Sequence, residues 1–291
     1  MVRTLNPGVL ASLWQDTTFS DVNLVMEGPQ DCCPGLEEPR QTTLEIPAHK
    51  AVLASVSPYF HKMFTSFSER NKREVLLKSD LIRLDPGSVE AILRYIYTGV
   101  KISINQNNAQ SLLEAASYLE VTLVMEQASK FFEENIGSFE NVMEVRNLAV
   151  TNGCMNLVTA VDSFIGDNFL EIMASPGFLE YSLEDVETLM KIDNLRELFG
   201  GVPEREIFNA VINWIKHDLK SRSSSLEKLL GSIQFSRLSA DFIEYTVKSF
   251  LKENDKSLSC LSDPDDTDKN ADSDGTVIIA LGYRRYDAYD I

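Results

Sequence analysis

Pro47-Ala48-His49-Lys50-Ala51-Val52-Leu53-Ala54-Ser55-Val56-Ser57-Pro58-Tyr59-Phe60-His61-Lys62-Met63-Phe64 is the stretch on which the fold turns. It opens on an alanine–histidine pair and continues as a helix of small residues. Ser57-Pro58 then restarts the helix: the serine hydroxyl can cap free amides, and proline lacks a donor where none is needed. The second helix ends in Met63-Phe64.

Working outward, Asp21 to Met26 alternates apolar Val22, Leu24 and Met26 with less buried positions, as a half-covered strand does. Residues 28–43 are charged and turn-rich and are expected to form a loop that returns into a short strand, Leu44 to Pro47. Before them, Val9, Leu10, Leu13 and Trp14 share one face of a short helix. Downstream, Glu74 to Leu77 reads as a strand. Asp85-Pro86 opens a helix striped by Val89, Ile92, Leu93 and Ile96, and Thr98-Gly99 closes it. Residues 108–134 hold two further helices.

From about residue 128 the pattern becomes helical hairpins. Val142, Val145, Leu148 and Ala149 share a face, Gly153 breaks it, and Leu157, Val161, Phe164 and Ile165 share the next. Ser182 to Asp185 resembles a capping box, and Ile207, Phe208, Val211, Trp214 and Ile215 form a broad apolar face. The expected zones are 1–127, a small sheet capped by helices; 128–254, all helix; 255–275, an acidic disordered linker; and 276–291, a single strand-like tail.

The chain has 291 residues, 44% hydrophobic and 24% charged, and a mass of 32.7 kDa. That mixture fits about two globular domains. A formal net charge of −17 repels phosphate backbones and anionic membranes, so neither nucleic acid nor membrane is the expected partner. No run approaches the roughly 18 apolar residues of a spanning helix, and the first residues lack a secretory signal pattern. Four cysteines, without a CxxC pair, suit a reducing compartment better than a disulfide framework or zinc site. The expected location is cytoplasmic, with the nucleus also open. Asn270 to Gly275 imitates a calcium loop, but Leu281 stands where a bidentate glutamate is needed. No metal site and no cofactor are expected.

The quoted stretch resembles the signature of BTB (POZ) domains, together with Phe19-Ser20-Asp21-Val22 and the Ile92–Val100 run ILRYIYTGV, in that order. The second zone resembles the BACK domain of BTB–BACK–kelch adaptors through Asn141-Val142, Ala149, Gly153-Cys154, Phe164, Phe169 and Val211 to Asp218. The resemblance implies a homodimeric, substrate-specific adaptor that joins a cullin-RING ubiquitin ligase through its BTB and BACK helices, with a kelch propeller capturing the protein substrate. Thr276 to Tyr283 looks like the first strand of a kelch blade, but sixteen residues cannot build several blades of about four strands each. Either this is a truncated form, or the protein works without a propeller.

Leu10, Leu13 and Trp14 either tuck onto their own domain or, as the resemblance implies, pack against a second subunit. Burying four such side chains, Val9 included, is worth about 6–12 kcal/mol, against an association cost of about 4–15 kcal/mol. A stable dimer therefore needs further contacts. Asp21 and His49 either satisfy each other or backbone groups. As a catalytic pair they would need a nucleophile, and no serine or cysteine sits in a recognisable elbow; no catalytic residue is assigned. The resemblance places the matching aspartate and histidine near the dimer interface, and Asp21 itself is expected to be buried and paired. Cullin-binding relatives carry an apolar residue, any residue, then glutamate after the Met-Phe helix, which here falls on Phe67 and Glu69. Cys32 and Cys33, in the expected loop, are candidates for oxidant sensitivity. The rival to the adaptor is a BTB scaffold, cytoskeletal or transcription-associated, that binds proteins without a cullin.

Overall fold

The computed structural model describes residues 10–31, 40–66, 68–78, 84–138, 142–192 and 203–250. Contacts divide the chain into two units, 1–161 and 162–291.

The first unit is built on a three-stranded sheet of order β2-β1-β3. β1 (Val22–Asp31) pairs antiparallel with β2 (Arg40–Ala48), and β3 (Glu74–Leu76) joins the other side of β1 in parallel. Val22, Leu24 and Met26 are buried, as the period-2 alternation predicts. They meet Ile46, Ala48 and Val75 in one core. The hairpin departs from the expected loop over 28–43: pairing continues to Asp31↔Arg40. The turn-forming residues Gly28-Pro29 are absorbed in a register shift between Glu27 and Gln30. A bulge is where a strand accommodates a residue with no ladder donor.

The quoted stretch forms α1 (Lys50–Val56) and α2 (Pro58–Ser66). Ser57 is buried, and its hydroxyl accepts the Phe60 amide at 3.1 Å while donating to the Leu119 carbonyl at 2.6 Å. One serine thus caps α2 and ties it to the turn between α4 (Ala109–Tyr118) and α5 (Thr122–Asn135). α3 (Pro86–Thr98) begins as expected: the Asp85 carboxylate accepts the Ser88 amide at 2.7 Å, and Gly99 closes it at φ 65°. Its stripe, Val89, Ile92, Leu93 and Ile96, faces the core, with Tyr97 beside it. α6 (Val142–Thr151) turns into α7 (Met155–Asp167) at Gly153, φ 68°.

In the second unit, α8 (Phe169–Ala174) and α9 (Leu183–Lys191) precede α10 (Glu204–His217). Trp214 of α10 is 2% exposed and donates its indole N–H to the Tyr181 carbonyl at 2.9 Å. The Arg222 guanidinium covers its face at 4.1 Å. Ser182 caps α9 by accepting the Asp185 amide at 3.1 Å, and Lys228 pairs with Glu187 of α9. Glu204 is 3% exposed and accepts the Gln234 amide at 2.6 Å. Near the end of the zone expected to be all helix, Ile243–Val247 forms a π segment. The acidic linker and strand-like tail lie outside the described residues.

Candidate protein-interaction site

The N-terminal segment is a 3-10 turn, Ala11–Leu13, rather than an α-helix. Its bonds run three residues back, Leu13 N–H to Leu10 O and Trp14 N–H to Ala11 O, and Gln15 at φ 61° ends it. Leu10, Leu13 and Trp14 are all half-buried, one side packed on the core of their own unit and the remainder open. The Trp14 ring lies 5.6 Å from that of Tyr97. Val9 lies outside the described residues. Phe19, between this turn and β1, is 71% exposed.

Asp21 and His49 do not pair with each other. Asp21 is exposed, unlike the expected buried aspartate, and its Oδ1 accepts the Lys50 amide at 2.8 Å. It caps the first turn of α1 from outside the helix, an amide that α1 cannot satisfy itself. His49 is buried, 8% exposed. The Tyr97 hydroxyl accepts the His49 amide at 2.8 Å and lies 3.1 Å from His49 Nδ1. Both contacts are satisfied at once when that hydroxyl donates to Nδ1, which leaves the ring proton on Nε2. His49 Nε2 is buried with no hydrogen-bond partner among the described residues. Burial pushes the Tyr97 phenol up to about 12, so it keeps its proton as a donor through the neutral range.

The second cluster follows α2. Phe60, Met63 and Phe64 turn into the core, with the Phe60 and Phe64 rings stacked at 5.8 Å. Phe67 lies outside the described residues. Glu69 sits in the first turn of the 3-10 segment Ser68–Asn71. Its Oε1 is 3.3 Å from Lys72 Nζ, and its carbonyl accepts the Lys72 amide at 3.1 Å. Lys50 Nζ donates to the Lys72 carbonyl at 2.8 Å and lies 5.6 Å from the centre of the Phe64 ring. Lys62 reaches Glu120 at 3.4 Å.

The structure therefore brings Trp14 and His49 together around Tyr97, and joins Asp21 to the Glu69 turn through Lys50. Sequence reading missed Tyr97 and Lys50. Each stands beside a residue that was singled out, but the contacts span 48 and 22 positions, and no local pattern announces them. Cys32 and Cys33 lie outside the described residues. Among the described residues no group of three or more His, Cys, Asp or Glu side chains could hold a metal ion. No helix among them is long and apolar enough to cross a membrane.

Residues 10–136 match the BTB/POZ domain, and residues 142–248 match the family described as BTB And C-terminal Kelch. Kelch-like protein 28 of Mus musculus is 34% identical over 235 residues, covering 80% of this chain and 39% of that protein. Kelch-like protein 17 of Mus musculus is 33% identical over 201 residues, 68% of this chain and 30% of that protein. Kelch-like protein 7 of Gallus gallus is 30% identical over 243 residues, 83% of this chain and 37% of that protein. The chain thus spans well under half the length of the relatives it matches. With a three-stranded α+β unit carrying the first match and helices carrying the second, the chain belongs to the BTB–BACK family of kelch-like proteins.

Proposed function

We propose that the chain is a non-enzymatic adaptor: it pairs with a second copy through its N-terminal zone and offers the turn after α2 to a cullin, the scaffold of a cullin-RING ubiquitin ligase. The ubiquitin chemistry belongs to other subunits, and the captured protein substrate is unspecified. The observation that carries this reading is the pairing of BTB and BACK matches in one chain with Glu69 held in a short turn directly after α2. The core holds α2 by Phe60, Met63 and Phe64, which fixes where that turn emerges.

Two features support the dimer. Leu10, Leu13 and Trp14 keep an open side, and Phe19, a few residues further along the chain, is 71% exposed. His49 Nε2 is buried with no hydrogen-bond partner among the described residues, and such groups are rare unless something else satisfies them. Apolar side chains at the centre of an interface supply most of its energy, and Phe67 is the residue assigned to the cullin pocket.

Capture of a cullin by the tagged chain, compared with Phe67→Ala, tests the adaptor. The expected result is capture by the unaltered chain and a clear loss in the variant. Equal capture by both removes Phe67 from the contact. Self-association without any cullin capture favours the scaffold reading instead.

A further inference from the structure

We infer that Lys50 is the positioning residue of the Ser68–Asn71 turn that carries Glu69, and that it sets how well this turn meets a cullin; the inference rests on reading that turn as the cullin contact. Lys50 is the first residue of α1, and its own amide is held by Asp21 at 2.8 Å. Its backbone is therefore pinned at the base of the sheet. From there the side chain reaches both flanks of the Ser68–Asn71 turn. At the near end its ammonium lies 5.6 Å from the centre of the Phe64 ring, in the last turn of α2. At the far end it donates to the Lys72 carbonyl at 2.8 Å, one residue past the 3-10 segment.

Lys72 passes the restraint back into the turn. Its amide bonds to the Glu69 carbonyl at 3.1 Å, and its ammonium to Glu69 Oε1 at 3.3 Å. An exposed lysine–glutamate pair three residues apart is weak, because two long side chains must be ordered to make it. Lys50 changes that balance by fixing the Lys72 backbone with a charge-assisted bond from a residue that is itself held. Beyond the turn, the chain is fastened separately: the Asn23 amide donates to the Arg73 carbonyl at 2.6 Å, and β3 pairs with β1. Losing the Lys50 ammonium should therefore free residues 68–72 while leaving the sheet in place. A preformed turn binds a partner more tightly than one that must order on contact.

The test compares Lys50→Met, which keeps the aliphatic stem and loses the donor, with Lys50→Arg, which keeps both charge and donors. Two quantities are read on the whole chain: amide hydrogen exchange and cullin affinity. Lys50→Met is expected to speed exchange at residues 68–72, including the Lys72 amide, with β1, α3 and the oligomeric mass unchanged. It is expected to weaken cullin binding roughly fivefold to tenfold, because Lys50 acts on the order of the turn and only part of its bond's stabilisation reaches the contact. Lys50→Arg is expected to restore both readings to within about twofold, since its guanidinium can still bond the carbonyl and cover the ring. Unchanged exchange and affinity in Lys50→Met overturns the inference. So does faster exchange throughout the unit in both variants, which marks a general structural role. If the unaltered chain binds no cullin, the adaptor reading falls, and the exchange comparison alone decides whether Lys50 holds the turn.

Discussion

At Tyr97 one phenol hydroxyl satisfies two groups of a residue 48 positions away, the amide and the ring of His49. Removing that oxygen leaves a buried amide without a partner, so Tyr97→Phe is expected to cost about 1–3 kcal/mol, read as a lower midpoint in urea unfolding. The same hydroxyl has an alkaline signature. Burial raises its pKa to about 12, above the ordinary value near 10. The native state therefore holds a proton that the unfolded chain loses first. This contribution is complete below pH about 10 and declines as pH rises towards about 12. Burial raises Tyr59 in the same direction, so Tyr97→Phe should reduce the alkaline loss of stability without abolishing it. Asp21 calls for a smaller effect. It is exposed and caps a single amide, so Asp21→Ala should cost about 0.5–2 kcal/mol, the range of a lost helix cap, measured as a fall in Tm. A buried, unpartnered charge would have cost more.

Elements were legible where a local rule governs them. Ser57, Asp85 and Ser182 each cap the helix they were expected to open, because a cap needs only a side-chain oxygen within three residues of a free amide. The stripes of α3 and α10 were readable because a core shared by many side chains enforces the helical period. The hairpin was not. Gly28 and Pro29 signal a turn locally, and only pairing across to residues far along the chain turns that signal into a bulge. The N-terminal turn failed for the opposite reason: three residues of 3-10 carry the same apolar spacing as one helical turn. Gly153 offers a test at this scale. It joins α6 to α7 at φ 68°, and a Cβ placed there would meet nothing within 4 Å. Space is therefore available and backbone conformation is the whole cost, so Gly153→Ala should destabilise by about 1–2 kcal/mol in denaturant unfolding. A neutral result would mean that the turn relaxes to negative φ.

Over the whole molecule, the formal charge of −17 decides how self-association must behave. Two chains of like charge repel over a distance set by the ionic strength, about 30 Å at 0.01 M and about 8 Å at 0.15 M. An interface built on charge pairs weakens when salt is added. One built on Leu10, Leu13, Trp14 and Phe19 strengthens, because salt screens the repulsion and leaves apolar burial intact. Light scattering at micromolar concentration should therefore give twice the 32.7 kDa of one chain, with a dissociation constant that falls as salt rises from about 0.01 to 0.15 M. Phe19 is the residue on which to test the face. Trp14 leans on Tyr97, so its loss would confuse folding with association, whereas Phe19 is 71% exposed and Phe19→Asp costs the single chain little. That variant should keep its Tm measured at high dilution, where only monomer remains, and should shift the mass at micromolar concentration towards that of one chain. A dimer untouched by Phe19→Asp moves the interface elsewhere, and a dimer that dissociates with added salt means that charges, not the greasy N-terminal stretch, hold the two copies together.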